Sequence, residues 1–211
     1  MASGPHSYNP LDRTALGRSV EQAILQSPCE PLPPSDPFEG AGLYALYYQG
    51  PFPAYQPIAR ANCAVPIYVG RAVPQGAREG NVGLGAPPGR VLFDRLREHA
   101  NSIRAVENLE LSDFRCRYLV VDDIWVPLAE ALLIGHFRPL WNGVVQGFGI
   151  HGPGGGRRDQ ARSMWDTLHP GRGFAARLPG VRSVADVEAR VTAHISEHPP
   201  TDSPPPLTTP L

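Results

Sequence analysis

Hydrophobic residues along the chain follow two periods. Residues 42–48 and 65–70 are apolar and β-rich, and Gly50, Pro51, Pro53 and Pro57 separate them, so they read as neighbouring strands joined by a loop. Over 114–121, Phe114, Cys116, Tyr118 and Val120 alternate with Arg115 and Arg117, which predicts a third strand. Other stretches carry the helical period. Leu16, Val20 and Ile24 follow a helix start in which Asn9 is the N-cap and Pro10 the first helical residue. Phe93, Leu96, Ala100 and Ile103 mark the buried face of a helix over 90–106. A further helix is predicted over 124–137, with Asp123 read as its cap in preference to a metal ligand, and a last one begins at Ser183 with Val184, Val187, Val191 and Ile195 as its stripe, to dock on the core or on a second copy.

Composition changes this picture in three places. Twenty-five prolines and 22 glycines in 211 residues predict long loops, among them a proline-rich linker over 28–40 and a Gly/Pro-rich segment over 72–89. That segment reads either as a plain surface loop or as one that meets DNA. A net charge of −1 gives no global sign of a nucleic-acid binder, so any such surface must come from local clustering. All 19 basic residues are arginines, suited to two-pronged contacts with phosphate and guanine, although a biased genome composition explains the bias equally well. Cys29, Cys63 and Cys116 lack ligand spacing and read as free thiols in a reducing compartment. With neither a signal pattern nor a long apolar span, a soluble cytoplasmic protein without a membrane partner is expected.

Several polar residues sit where chemistry could use them. Tyr44 and Tyr68 project from one face of the sheet if their strands pair, which suits phosphate chemistry and also ordinary strand packing. Arg95 and His99 stack four apart on the flank of their helix. Glu130 is the only carboxylate between Asp123 and Asp159, and its helical neighbours Val126, Pro127, Leu133 and Ile134 are apolar. Either the helix N-terminus favours that charge, or a hard divalent cation uses it.

The triplets Gly42-Leu43-Tyr44 and Tyr68-Val69-Gly70, followed by a helix with Arg95 and His99, resemble the GIY-YIG nucleases. The departures from the motif are swaps between aliphatic residues. The resemblance covers roughly 42–143. It implies an α/β (α+β) fold: a small three-stranded antiparallel sheet flanked by helices. By the same resemblance, Arg95 faces the scissile phosphate, His99 marks the restriction-endonuclease branch, Glu130 is the single metal ligand and Asn142 stabilises the active site. A basic Gly/Arg-rich extension resembles the Type II restriction endonucleases related to the one that cuts CCGCGG.

That extension also has its own logic. Between 157 and 182, six arginines stand against two aspartates, with Trp165, His169 and Phe174 interleaved. Such a mixture suits a DNA surface, and equally a Gly-rich loop tied down by arginines bonding to backbone. The expected organisation is an N-terminal helix and linker (1–40), a nuclease core (41–146), a recognition segment with its helix (147–198) and a disordered proline-rich tail (199–211). The expected function is metal-dependent, site-specific double-strand cleavage of DNA at a GC-rich palindrome. Tyr44, Tyr68, Arg95, His99 and Asn142 are the catalytic candidates. Glu130 would hold one Mg²⁺ or Mn²⁺ per site. Arg71, Arg78, Arg157, Arg158, Arg162 and Arg172 are candidate DNA contacts. Partners are double-stranded DNA, a second copy in a homodimer and, in the same system, a methyltransferase. A repair or homing nuclease and a silent DNA-binding protein of the same fold remain the alternatives.

Overall fold

The computed structural model describes residues 13–74, 87–150 and 160–201, with backbone alone at 13–16. The Asn9 cap and the Arg78, Arg157 and Arg158 contacts lie outside the described residues. In chain order the elements are α1 (Arg13–Gln26), β1 (Glu30–Pro31), β2 (Gly42–Tyr48), β3 (Pro66–Ala72), α2 (Val91–Arg104), β4 (Phe114–Val120), α3 (Val126–Phe137), α4 (Leu140–Gly143), α5 (Met164–Leu168) and α6 (Val184–Glu197).

The sheet is antiparallel with the order β1-β4-β2-β3. It has four strands rather than three. The addition, β1, lies inside the stretch read as a linker and pairs Glu30 with Cys116 and Pro31 with Arg115. Two residues carry no readable period. Their pairing is decided by the outer edge of β4, where Tyr118 also donates to the Glu30 carboxylate at 3.2 Å.

Every residue of β2 is buried because both of its faces are covered. Tyr44, Leu46 and Tyr48 pack with Leu96, Ala100 and Ile103 of α2. Leu43, Ala45 and Tyr47 pack with Ile24 of α1 and Val126, Ala129 and Leu133 of α3. Each large side chain so buried contributes about 1.5–3 kcal/mol of transfer free energy. The central strand is thereby fixed between two helical layers, and the Tyr44 face of the sheet with it.

The helices depart from the sequence reading in detail. α3 starts at Val126 with Trp125 as N-cap, and no side chain caps it. Asp123 is therefore not the expected cap; the backbone carbonyls of Asp122 and Asp123 accept the N–H groups of Trp125 and Val126 in a preceding turn. Ser183 does start α6, in a capping box with Asp186. Val187 and Val191 dock that helix on the same cluster as the Tyr44 face. Phe148, Trp165 and Leu168 join this cluster too, so the Gly/Arg-rich region supplies core.

Cys29 and Cys63 form a disulfide, against the expectation of three free thiols. They are 34 residues apart, and the packing of the α1–β1 corner beside the approach to β3 brings them together. Cys116 is a buried thiol, pushed up to about 12 by burial and the Glu30 carboxylate. Among the described residues, no helix is long and apolar enough to cross a membrane.

Candidate active site

Tyr44 stands opposite Gly70 in the β2–β3 register, and Tyr68 is its diagonal neighbour on the same face. The glycine is required by packing. A Cβ at Gly70 would strike the Tyr44 hydroxyl and lie 2.6 Å from its Cζ, so only glycine lets that ring cross the strand. The phenol rings then sit with centroids 6.1 Å apart.

α2 delivers the next two groups. His99 is 1% exposed, inside the buried face rather than on the expected flank. Its Nε2 lies 2.6 Å from the Tyr44 hydroxyl, and its ring packs on Tyr68 at 5.4 Å. Arg95, one turn earlier, donates to Glu98 at 2.9 Å and to the Gly149 carbonyl at 3.3 Å. Burial and the neighbouring Tyr68 phenol push Tyr44 well above the ordinary tyrosine value, with Arg95 acting the other way. Burial also raises Tyr68, again opposed by Arg95. Both phenols are neutral in the DNA-free protein at ordinary pH.

The hydrogen bonds of Asn142 go to backbone and not to the phenols. It grips the free edge of β3, where its Oδ1 accepts from Val69 N–H and its Nδ2 donates to Val69 C=O, both at 2.8 Å. One amide side chain thus completes an edge that no strand covers among the described residues, and it holds the residue between Tyr68 and Gly70.

Glu130 projects from α3 at the border of the apolar stripe. Val126 and Leu133 are buried, Pro127 is exposed and Ile134 is half-buried. Its Oε2 lies 3.2 Å from Arg71 Nε. The carboxylate is near enough to Tyr68 to raise that phenol further. Among the described residues, no cluster of three or more His, Cys, Asp or Glu could hold a metal. This donor set fits a hard divalent cation, which takes one carboxylate and completes its shell with water and phosphate oxygens. It does not fit zinc, which takes three or four protein ligands.

Of the four described arginines of the basic segment, Arg177 and Arg182 are exposed, whereas Arg162 and Arg172 turn to the protein's own backbone. Arg162 donates to the carbonyls of Ala175, Ala176 and Leu178. Arg172 is 6% exposed and binds Asp166 and three carbonyls. Trp165 and His169 are buried with them. For these residues the tied-down loop describes the structure, because a guanidinium bonded to backbone carbonyls keeps few donors for phosphate. His169 Nε2 pairs with the Tyr55 hydroxyl at 2.6 Å and its Nδ1 with Asn108 Oδ1 at 2.9 Å.

Sequence reasoning missed Phe148 and Gly149. The Phe148 ring stacks on His99 at 4.5 Å with a 16° interplanar angle, and meets the Tyr68 ring edge-on at 5.2 Å. Its one signal is a lone large aromatic between two glycines, Gly147 and Gly149.

Residues 36–198 match the family model of the Eco29kI GIY-YIG domain. No curated protein matches the chain. The matched range takes in every side chain of the site, from Tyr44 on the central strand to Asn142 at the sheet edge. The chain therefore belongs to the Eco29kI GIY-YIG domain family, a restriction-endonuclease family, and is a GIY-YIG nuclease.

Proposed function

We propose that the protein is a Type II restriction endonuclease that makes metal-dependent double-strand cuts at a GC-rich palindrome. The observation that carries this reading is the convergence of Tyr44, Tyr68, Arg95 and His99 on one face of the sheet, in a chain of this family.

The reaction is hydrolysis of a phosphodiester. Water attacks phosphorus in line with the 3′ oxygen; the new P–O bond forms as the P–O3′ bond breaks. Tyr44 takes the water proton as its own proton passes to His99 Nε2, across the 2.6 Å contact. The direction requires His99 to carry its resting proton on Nδ1, leaving Nε2 as acceptor. This relay answers the raised pKa of Tyr44, since the phenol need not stand ionised beforehand. Tyr68 positions the water or the phosphate. Arg95 neutralises charge growing on the phosphoryl oxygens. Asn142 keeps Tyr68 in place through Val69. Glu130 would hold one Mg²⁺ or Mn²⁺ per site, which when bound stabilises charge on the leaving oxygen. Arg71 beside it is a candidate phosphate contact, and Arg78, Arg157 and Arg158 are candidate DNA contacts elsewhere. A two-fold homodimer would set one site on each strand of a palindrome. A methyltransferase in the same system would protect the host sites.

The test is digestion of fully sequenced plasmid or phage DNA with and without Mg²⁺, followed by sequencing of the ends. Discrete Mg²⁺-dependent fragments that share one palindrome support the proposal and supply the site. Cuts only at branches or damage point to a repair or homing enzyme. Glu130→Ala is expected to abolish cleavage and retain DNA binding; binding with no cleavage even by the unaltered protein would leave a silent DNA-binding protein.

A further inference from the structure

We propose that the buried Asp166–Arg172 pair is a positioning device for the active site, acting on Arg95 and His99 through the turn 147–150. The inference rests on the nuclease reading of that site.

Arg172 uses its guanidinium as a bracket. Its Nε donates to Asp166 Oδ1 at 2.6 Å. Nη1 donates to the carbonyls of Phe148 at 3.0 Å and Ile150 at 2.9 Å, and Nη2 to that of Gly147 at 2.9 Å. The plane lies over the Trp165 ring, 4.4 Å from its centroid. Asp166 is held in turn, since its second oxygen accepts from the Ser163 hydroxyl at 2.6 Å. A buried charge pair of this kind is a weak source of net stability, but its geometry is demanding, and three backbone carbonyls of one turn converge on it.

The far side of the turn touches the site. Phe148 stacks on His99, and Gly149 offers its carbonyl to Arg95 Nη2. No side chain fits at Gly149 undisturbed: a Cβ there would lie 3.0 Å from Arg95 Nη2 and 3.3 Å from the Tyr68 hydroxyl. The turn thus sets how high Arg95 rides and how the His99 ring is tilted toward Tyr44. Lysine at 172 keeps the charge yet cannot reach four acceptors spaced for a planar fork.

The experiment uses the full chain and three variants. Arg172→Lys loosens the turn from behind. Gly149→Ala pushes on Arg95 at a backbone position that alanine tolerates, because Gly149 is not left-handed. Phe148→Leu removes the stacked ring. Single-turnover cleavage and DNA affinity are measured together, and the His99 ring signals are followed by NMR in the metal-free, DNA-free protein. Arg172→Lys is expected to slow cleavage about 10- to 100-fold with unchanged DNA affinity, as a misplacement on the order of 1 Å does, and Gly149→Ala, which displaces its neighbours less, to slow it by a smaller factor with unchanged affinity. The His99 signals are expected to move downfield in Phe148→Leu, where the ring current is lost, and in the same direction in Arg172→Lys, where the Phe148 ring is displaced from the imidazole. Unmoved His99 signals and an unchanged cleavage rate in folded Arg172→Lys would overturn the proposal. So would a loss confined to DNA affinity. If Arg172→Lys does not fold, Gly149→Ala decides, and an unaltered rate there counts against it. If the unaltered protein cleaves nothing, the nuclease reading fails, while the NMR comparison still decides the positioning.

Discussion

Tyr44 and His99 are both about as buried as core residues, yet they share a short hydrogen bond between two titratable groups. Tyr44→Phe removes the hydroxyl and leaves the ring to pack over Gly70. Cleavage is expected to fall by about 10²- to 10⁴-fold with little change in thermal midpoint, as activity assays and melting on one preparation would show. An unchanged rate would assign the base elsewhere. Burial also links these residues to pH. Tyr44 and Tyr68 are raised, and Tyr47 is pushed up to about 12, chiefly by burial. An unfolded phenol ionises near 10. The neutral phenols therefore stabilise the fold fully below about pH 10, and this contribution is lost as pH rises through the folded values. In a spectrophotometric titration, these tyrosines are expected to ionise only as the protein unfolds. His169 has the opposite sign. Burial, helped by Arg172, lowers it to about 3, so it is neutral in the fold. Its contribution is present above about pH 6.5 and is lost as pH falls toward 3. The urea midpoint is expected to drop from pH 7 to pH 4, and His169→Gln to flatten that slope.

At the scale of elements, the β3 edge of the sheet, paired with another strand on one side among the described residues, is the weak place. β3 is an edge strand and carries Tyr68, Gly70 and Arg71, so the site depends on a strand paired on one side only. The Asn142 clamp supplies what a fifth strand would. Asn142→Ala removes two hydrogen bonds, at about 1–3 kcal/mol in total. The Val69 amide is expected to exchange faster with solvent and cleavage to fall with it; unchanged exchange at Val69 would show that the clamp is not what holds the strand. Locally Asn142 is an asparagine before a glycine, which alone predicts a turn, and only the family resemblance pointed to a role at the site. Its real partner is 73 residues away.

For the whole molecule, the Cys29–Cys63 bridge ties the exit of α1 to the approach of β3 across 34 residues. Closing a loop of that length in the unfolded chain contributes about 3–4 kcal/mol in the chain-entropy account. Reduction, or Cys29→Ser, is expected to lower the denaturation midpoint accordingly. A midpoint indifferent to reductant would mean the two thiols are not bridged in solution.

The local signals were sufficient for much of this. The three main strands, the stripe of α2, the Ser183 start and the facing pair Tyr44 and Tyr68 are readable, because strand and helix periods and the two tyrosine triplets are properties of adjacent residues. Tertiary structure alone decided the rest. β1 exists only because β4 has an open edge; His99 is buried only because Tyr44 and Phe148 meet it; Cys29 finds Cys63 only in the folded chain. Arg172 is the clearest case. Among glycines and aromatics it reads as a DNA contact or as one tie of a surface loop, and it becomes an interior bracket because three carbonyls and Asp166, brought close by folding, outcompete water for its guanidinium. Contacts between residues far apart in sequence leave no period to read, so no pattern along the chain can announce them.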